Sequence, residues 1–395
     1  MPLMDDTGRT EWGRRVSQRA AIAPFLAMEI AREASLKAAA GADIVRFDLG
    51  QPHVGAPEAA IAAAERALRT QRLGYTDALG SDALREAIAG LYRRRHGVTV
   101  DPGRVVVTTG ASGAFLMTFL ALFETGDRVA LAAPAYPPYR HILTALGMTP
   151  VAVEAREEDR LQMTGETLAR TPGPLAGALI ASPANPTGVI LSKAELADIA
   201  AAARARGAFL VSDEIYHGLT YETPAETALA VDPDAIVINS FSKYWAMTGW
   251  RVGWLVAPAH LIRPIERLAQ NLAICAPTPA QAAALAALDA EEECEARRAD
   301  YGVNRALLLE ALPRLGLHPL AHPDGAFYML ADITEHSNDS AAFCAAALAE
   351  AGVAMTTGLD FDDARGKRWV RLAYPITERE TREGLARLAR FLKRA

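Results

Sequence analysis

Lys243 closes the apolar, β-branched run Ala235-Ile-Val-Ile-Asn-Ser-Phe-Ser-Lys243, and Arg251 follows eight residues later inside Thr248-Gly-Trp-Arg-Val-Gly-Trp254. Such a run reads as a buried strand, which puts the lysine at a strand end, flanked by hydroxyls and followed by a second cation. Burial and cationic neighbours lower an amine's pKa, by up to ~3–5 units when the group is fully buried. A neutral lysine can form a Schiff base with a carbonyl, and the serines and Arg251 suit a nearby phosphate. One lysine after one strand is usually a surface residue. The neighbours turn this one toward chemistry.

Three further strand ends carry candidate groups. After Val105–Thr109 comes Gly110-Ala-Ser-Gly113, opening a helix. Free N–H groups at a helix start attract an anion, and Ser112 adds a hydroxyl, although a plain strand-to-helix turn would look the same. Ser182-Pro-Ala-Asn-Pro-Thr-Gly188 is either an ordinary turn or a rigid loop that aims the Asn185 amide at a ligand. Asp213-Glu-Ile-Tyr216 places a carboxylate where burial is costly unless a cation meets it; a metal or a structural ion pair would also satisfy it. No metal spacing accompanies it: Pro319 and Pro323 break any helix joining His318 to His322. An amine for a Schiff base, an anion for a ring nitrogen, donors for a ring oxygen and a phosphate cup converge on one ligand, pyridoxal 5′-phosphate (PLP).

The elements that must position these groups are legible in the same way. Val105–Thr109, Arg128–Ala133, Gly177–Ala181, Phe209–Ser212, Ala235–Asn239 and Val252–Val256 are continuous apolar runs, interleaved with helical patterns at Gly113–Phe123 and Lys193–Arg206. Strands buried on both faces and separated by helices predict a mainly parallel, helix-covered α/β sheet, with ligands at the strands' carboxyl ends. After residue 290 the pattern changes. A charged helix (Glu291–Leu315), the run Gly325–Ala331, an Ala-rich helix (Ser340–Ala351), Trp369–Ala373 and a closing helix predict a smaller α+β lobe. The mostly helical first forty or so residues are expected to pack against it. The expected division is 1–45 for that segment, 46–290 for the large lobe and 291–395 for the small one.

The 395 residues are 51% apolar and 22% charged, the composition of a globular enzyme with room for two lobes. A net charge of −6 without basic blocks argues against nucleic acid as a partner. No stretch reads as a secretory signal or a membrane span, and Cys275, Cys294 and Cys344 show neither metal nor disulfide spacing. The expectation is a cytoplasmic protein.

With the Ser-x-Ser-Lys stretch, its arginine eight residues on, Asn-Pro-Thr-Gly and Asp-Glu-Ile-Tyr in this order, the chain resembles the class I/II, aspartate aminotransferase-like group of fold-type I PLP enzymes, from about Ile44 to Tyr374. The resemblance implies a large PLP-binding domain around a seven-stranded sheet and a small domain built from the N-terminal segment and the C-terminal third. It implies amino-group transfer from an L-amino acid to a 2-oxo acid by a ping-pong route, through an aldimine on Lys243. Asp213 would pair with the pyridinium nitrogen, Asn185 and Tyr216 would bond the ring oxygen, and Tyr136 would stack on the ring. Ala111, Ser112, Ser240 and Arg251 would hold the phosphate, and Tyr75 would reach the phosphate of a partner subunit in a homodimer. Arg371 would grip the substrate carboxylate beside Gly50.

Two features depart from the family pattern. Thr357-Gly-Leu-Asp-Phe-Asp362 stands where Pro-Gly-x-x-Phe-Gly is common, and Gln51 where Glu is common. Leu268–Ile274 holds no arginine for a distal carboxylate, which points to a neutral or apolar amino donor. The same cofactor site would also serve a carbon–sulfur β-lyase. A PLP-binding regulatory domain would be expected to carry a basic DNA-binding extension.

Overall fold

The computed structural model describes residues 16–393. Seven strands form the central sheet: β1 (Val105–Thr108), β2 (Arg128–Ala133), β3 (Thr149–Glu154), β4 (Gly177–Ala181), β5 (Phe209–Asp213), β6 (Ile236–Ser240) and β7 (Gly253–Val256). Their spatial order is β1-β7-β6-β5-β4-β2-β3. All neighbours are parallel except β7, which runs antiparallel to both β1 and β6. Strands β1 and β4–β7 are buried on almost every residue, as strands covered by helices on both faces must be. Helices Gly110–Leu122 and Ala259–Leu272 pack together, the first of them also on β6 and β7.

The strand-end residues sit in register. Ala181 at the end of β4 pairs with Asp213 at the end of β5, and Asp213 with Ile238 of β6. The sequence-predicted limits shift in ways that matter. β5 and β6 each run one residue further, which makes Asp213 and Ser240 the last strand residues, and the helix expected from Gly113 begins at Gly110. β3 escapes a search for continuous apolar runs because it is an edge strand, mostly exposed and containing Pro150, a residue that edge positions tolerate.

The small lobe is an antiparallel sheet of Thr356–Thr357, Trp369–Ala373, Tyr328–Asp332 and His318–Pro319, backed by helices Glu291–Arg314 and Glu378–Leu392. Near the N-terminus, Val45–Arg46 pairs in parallel with Val353–Ala354, and helix Leu26–Ala39 packs beside these strands. The predicted Ser340–Ala351 helix changes to a π turn at Ala347–Ala351 and stops at Gly352, whose φ is +65°. Residues 1–15, where the N-terminal expectation begins, lie outside the described residues. Among the described residues no helix is long and apolar enough to cross a membrane.

Candidate active site

A cleft of about 250 Å³ opens at the carboxyl ends of β4, β5 and β6, between the two lobes. Ten of the twelve sequence-predicted site residues line it: Gly50, Ala111, Ser112, Tyr136, Asn185, Asp213, Tyr216, Lys243, Arg251 and Arg371. Ser240 is fully buried behind the wall. Its Oγ lies 2.8 Å from Ser242 Oγ and donates to the Val252 carbonyl at 3.0 Å, and Ser242 is the serine that lines the cleft. Tyr75 is 82% exposed and lies away from its own chain's cleft.

Lys243 follows β6 in a tight turn, and its Nζ donates to the Gly50 carbonyl at 2.7 Å. Burial, then Arg371 and Arg251, push its pKa down to about 8, with Asp213 opposing them. Asp213, at the end of β5, is pushed up to about 6 by burial. The Tyr139 hydroxyl, the Ile215 N–H at 3.0 Å and the charge of Lys243 all hold that rise in check. A cationic partner arriving at this carboxylate would lower its pKa further.

The phosphate-ready corner is built from a helix start and one arginine. Thr109 precedes helix Gly110–Leu122 without capping it through its side chain, which leaves the first-turn N–H groups for an anion. The Arg251 guanidinium lies against this turn, with Nη1 on the Thr248 carbonyl at 2.9 Å. A Cβ on Gly110, whose φ is +74°, would come within 2.4 Å of Arg251 Nη2. Glycine is therefore the residue that lets the guanidinium and the helix start converge.

Arg371, on the buried strand Trp369–Ala373, points into the cleft from the small lobe. Its Nη1 donates to Asn185 Oδ1 at 3.1 Å, and its Nη2 to the Asp48 carbonyl at 2.9 Å and to Thr356 Oγ1 at 3.2 Å. Its Cζ stands 4.5 Å from the ring centre of Tyr328 and 4.8 Å from that of Phe361. Its Nε is buried without a hydrogen-bond acceptor. Among the described residues Arg371 has no carboxylate partner, although a planar guanidinium is the cation that fits one best.

Several working residues were not singled out in the sequence. Tyr139 follows Tyr136 across the turn that opens helix Pro138–Leu146, its N–H on the Tyr136 carbonyl at 3.1 Å and its ring edge-on at 5.2 Å. Tyr328 meets the Tyr216 hydroxyl at 2.8 Å, and its own hydroxyl would lie 2.1 Å from any Cβ on Gly50. The acids of the departing loop are internally committed. Asp360 accepts the N–H groups of Leu26 and Ala27, and Asp362 accepts those of Ala364 and Arg365 while pairing with the Arg365 guanidinium. His318 pairs with Glu335. Elsewhere Glu222, His322 and Asp324 cluster, with the Arg305 guanidinium bonded to Glu222 and His322 where a cation would sit.

The family model described as "Aminotransferase class I and II" matches residues 42–388. The chain belongs to the class I and II aminotransferases. It is 46% identical to a valine–pyruvate aminotransferase of Mycobacterium tuberculosis, over 96% of this chain and 98% of that one. It is 36% identical to an aspartate/prephenate aminotransferase of Thermus thermophilus, over 90% and 92% of the two chains. A crystal structure of an aminotransferase from Mycobacterium tuberculosis superposes with a TM-score of 0.95 at 46% identity, covering 97% of this chain and all of that one.

Class I and II aminotransferases depend on PLP, and the cleft fits that cofactor. It offers one buried lysine whose pKa is brought down to about 8 and the buried Asp213 carboxylate, the other buried carboxylate of the lining, Asp48, being paired with Arg46. At one end stand a helix start and an arginine without a carboxylate partner among the described residues. Arg371, with its orphaned Nε, lines the same cleft.

Proposed function

We propose that this chain transfers the amino group of an L-amino acid to a 2-oxo acid in two alternating half-reactions, with Lys243 carrying the cofactor. The observation that carries this reading is the buried Lys243 amine, brought down to about 8 and set between Asp213 and Arg371 in one cleft. Bound PLP supplies an electrophilic carbon and an electron sink. Lys243 Nζ is the group placed to take the proton from the substrate Cα, a step worth roughly 10²–10⁴-fold when the base is positioned. Asp213 would pair with the ring nitrogen, Asn185 and Tyr216 would bond the ring oxygen, and Tyr136 would stack on the ring. Ala111, Ser112 and Arg251 hold the phosphate, with Ser240 bracing the wall through Ser242. Arg371 binds the α-carboxylate beside Gly50. Tyr75 completes the phosphate site of a second subunit in a homodimer. Among the described residues the large lobe spans 46–290 and the small lobe takes 16–45 with 291–393.

The donor is a neutral, apolar amino acid. Support comes from the valine–pyruvate relative and from the cleft's apolar wall, which includes Phe25, Met28 and Ile142. The test is to mix purified holoenzyme with single amino acids and no acceptor. Loss of the lysine-bound cofactor's visible band, growth of the pyridoxamine band and recovery on adding pyruvate are the expected result. Pyruvate and ammonia accumulating while the band stays in place would mean a carbon–sulfur lyase instead. Lys243→Ala should abolish both the band and turnover, and turnover retained in that variant would refute the assignment.

A further inference from the structure

Helix Leu26–Ala39 begins at Phe25, which supplies no side-chain cap. The first N–H groups of a helix need acceptors, and here they find one more than 300 residues away in sequence. Asp360 Oδ1 accepts from the Leu26 N–H at 3.0 Å, and Oδ2 accepts from the Ala27 N–H at 2.8 Å. Asp360 is only 1% exposed. Both of its oxygens are therefore engaged at the positive end of a 14-residue helix, the favourable place for a carboxylate. This contact fixes where the helix enters the site. Phe25, Ala27 and Met28 line the cleft, and the Phe25 ring stands edge-on to Tyr136 at 5.7 Å. Phe361, the residue after Asp360, lies under the Arg371 guanidinium at 4.8 Å. One short loop thus touches the arginine assigned to the substrate carboxylate and also anchors the wall facing the rest of the substrate. Among the described residues that wall offers aromatic and aliphatic side chains but no cation.

The geometry points to Asp360 as the positioning residue of the donor side-chain pocket. By pinning the start of helix Leu26–Ala39, it holds Phe25 and Met28 against a branched apolar side chain and so sets the preference for such donors over alanine. This rests on the aminotransferase reading above. A wall residue acts through the substrate atoms it touches. Loosening the wall must therefore weaken a large apolar donor and leave alanine, which does not reach it, almost unchanged.

The test compares wild-type holoenzyme with Asp360→Asn, Asp360→Ala and, separately, Phe25→Ala and Met28→Ala, in steady-state amino transfer from L-valine and from L-alanine to one common 2-oxo acid. Asp360→Ala should raise the KM for valine by about tenfold or more, the range in which apolar pockets discriminate. The KM for alanine, kcat and the cofactor's visible band should stay close to wild type. Asp360→Asn, which keeps one acceptor oxygen, should fall between. Phe25→Ala and Met28→Ala should reproduce the valine-selective rise with Asp360 in place, and Asp360→Asn carries the comparison if Asp360→Ala does not fold. Equal losses for both donors, a displaced band, or an unchanged valine KM in the Asp360 variants would overturn the assignment. Wild-type enzyme reacting with neither donor, its band unmoved, would instead overturn the aminotransferase reading.

Discussion

At the scale of single residues, the site is an arrangement of costs that a bound cofactor relieves. A buried ammonium beside two guanidinium groups is disfavoured, so Lys243 titrates at about 8 instead of near 10.5. The sign is fixed: a lowered lysine pKa means that the neutral, nucleophilic form appears as pH rises through about 8. Cofactor-free enzyme mixed with PLP should therefore regain its visible band faster as pH increases, with a midpoint near 8. A midpoint near the value of a free lysine would show that the amine is not desolvated. Tyr139 acts on the other charge. Its hydroxyl lowers the Asp213 pKa against the upward push of burial, so Tyr139→Phe should raise that pKa. Ionised Asp213 would then be lost at higher pH on acidification, and the acid limb of PLP affinity should move up, as read from band titrations across pH. Lys243, Asp213 and Asn185 were legible because each lies in a compact motif at or just after a strand end, and Arg371 through the resemblance of Val370-Arg-Leu-Ala373 to the family pattern. Asp360 was not, because its partners are Leu26 and Ala27 and nothing local marks the pair.

At the scale of elements, sequence patterns reported burial well and exposure poorly. β1 and β4–β7 are apolar on both faces and could be read directly, whereas β3, partly exposed at the edge, offers only a short, Pro-containing run of mixed polarity. The helix start at Gly110 was placed three residues late because its meaning lies in a contact with the turn around Arg251. That contact yields a prediction. Gly110→Ala puts a Cβ within 2.4 Å of Arg251 Nη2 at a φ of +74°. The left-handed conformation costs an alanine roughly 1–2 kcal/mol, and the guanidinium must also withdraw. PLP affinity should fall by at least about tenfold, with inorganic phosphate protecting the cofactor-free variant less well against heat than it protects wild type. Unchanged affinity would separate Arg251 from the phosphate.

At the scale of the whole molecule, the two lobes meet through the cleft itself. Arg371 from the small-lobe sheet bonds Asn185 from the loop after β4, and Asp360 ties the C-terminal third to the first described helix. The 82% exposure of Tyr75 fits its proposed place in a second subunit, and hybrid dimers test that place. Lys243→Ala and Tyr75→Ala chains, each weak alone, should regain activity when mixed and reassembled, because one of the two composite sites then has both residues intact. No recovery would place Tyr75 outside any shared site. The lobes themselves were visible in the sequence as a change from interleaved strands and helices to a charged-helix pattern.

The orphaned Nε of Arg371 has a consequence for what the cleft turns away. A primary amine with the same side chain as an amino acid but no carboxylate would enter the same apolar wall and leave that buried donor still unanswered. Sites built around a buried polar group reject ligands that fail to pair it by on the order of 10⁴-fold. If Arg371 binds the α-carboxylate as proposed, the guanidinium would act as a gatekeeper against decarboxylated look-alikes, keeping biogenic amines off the cofactor.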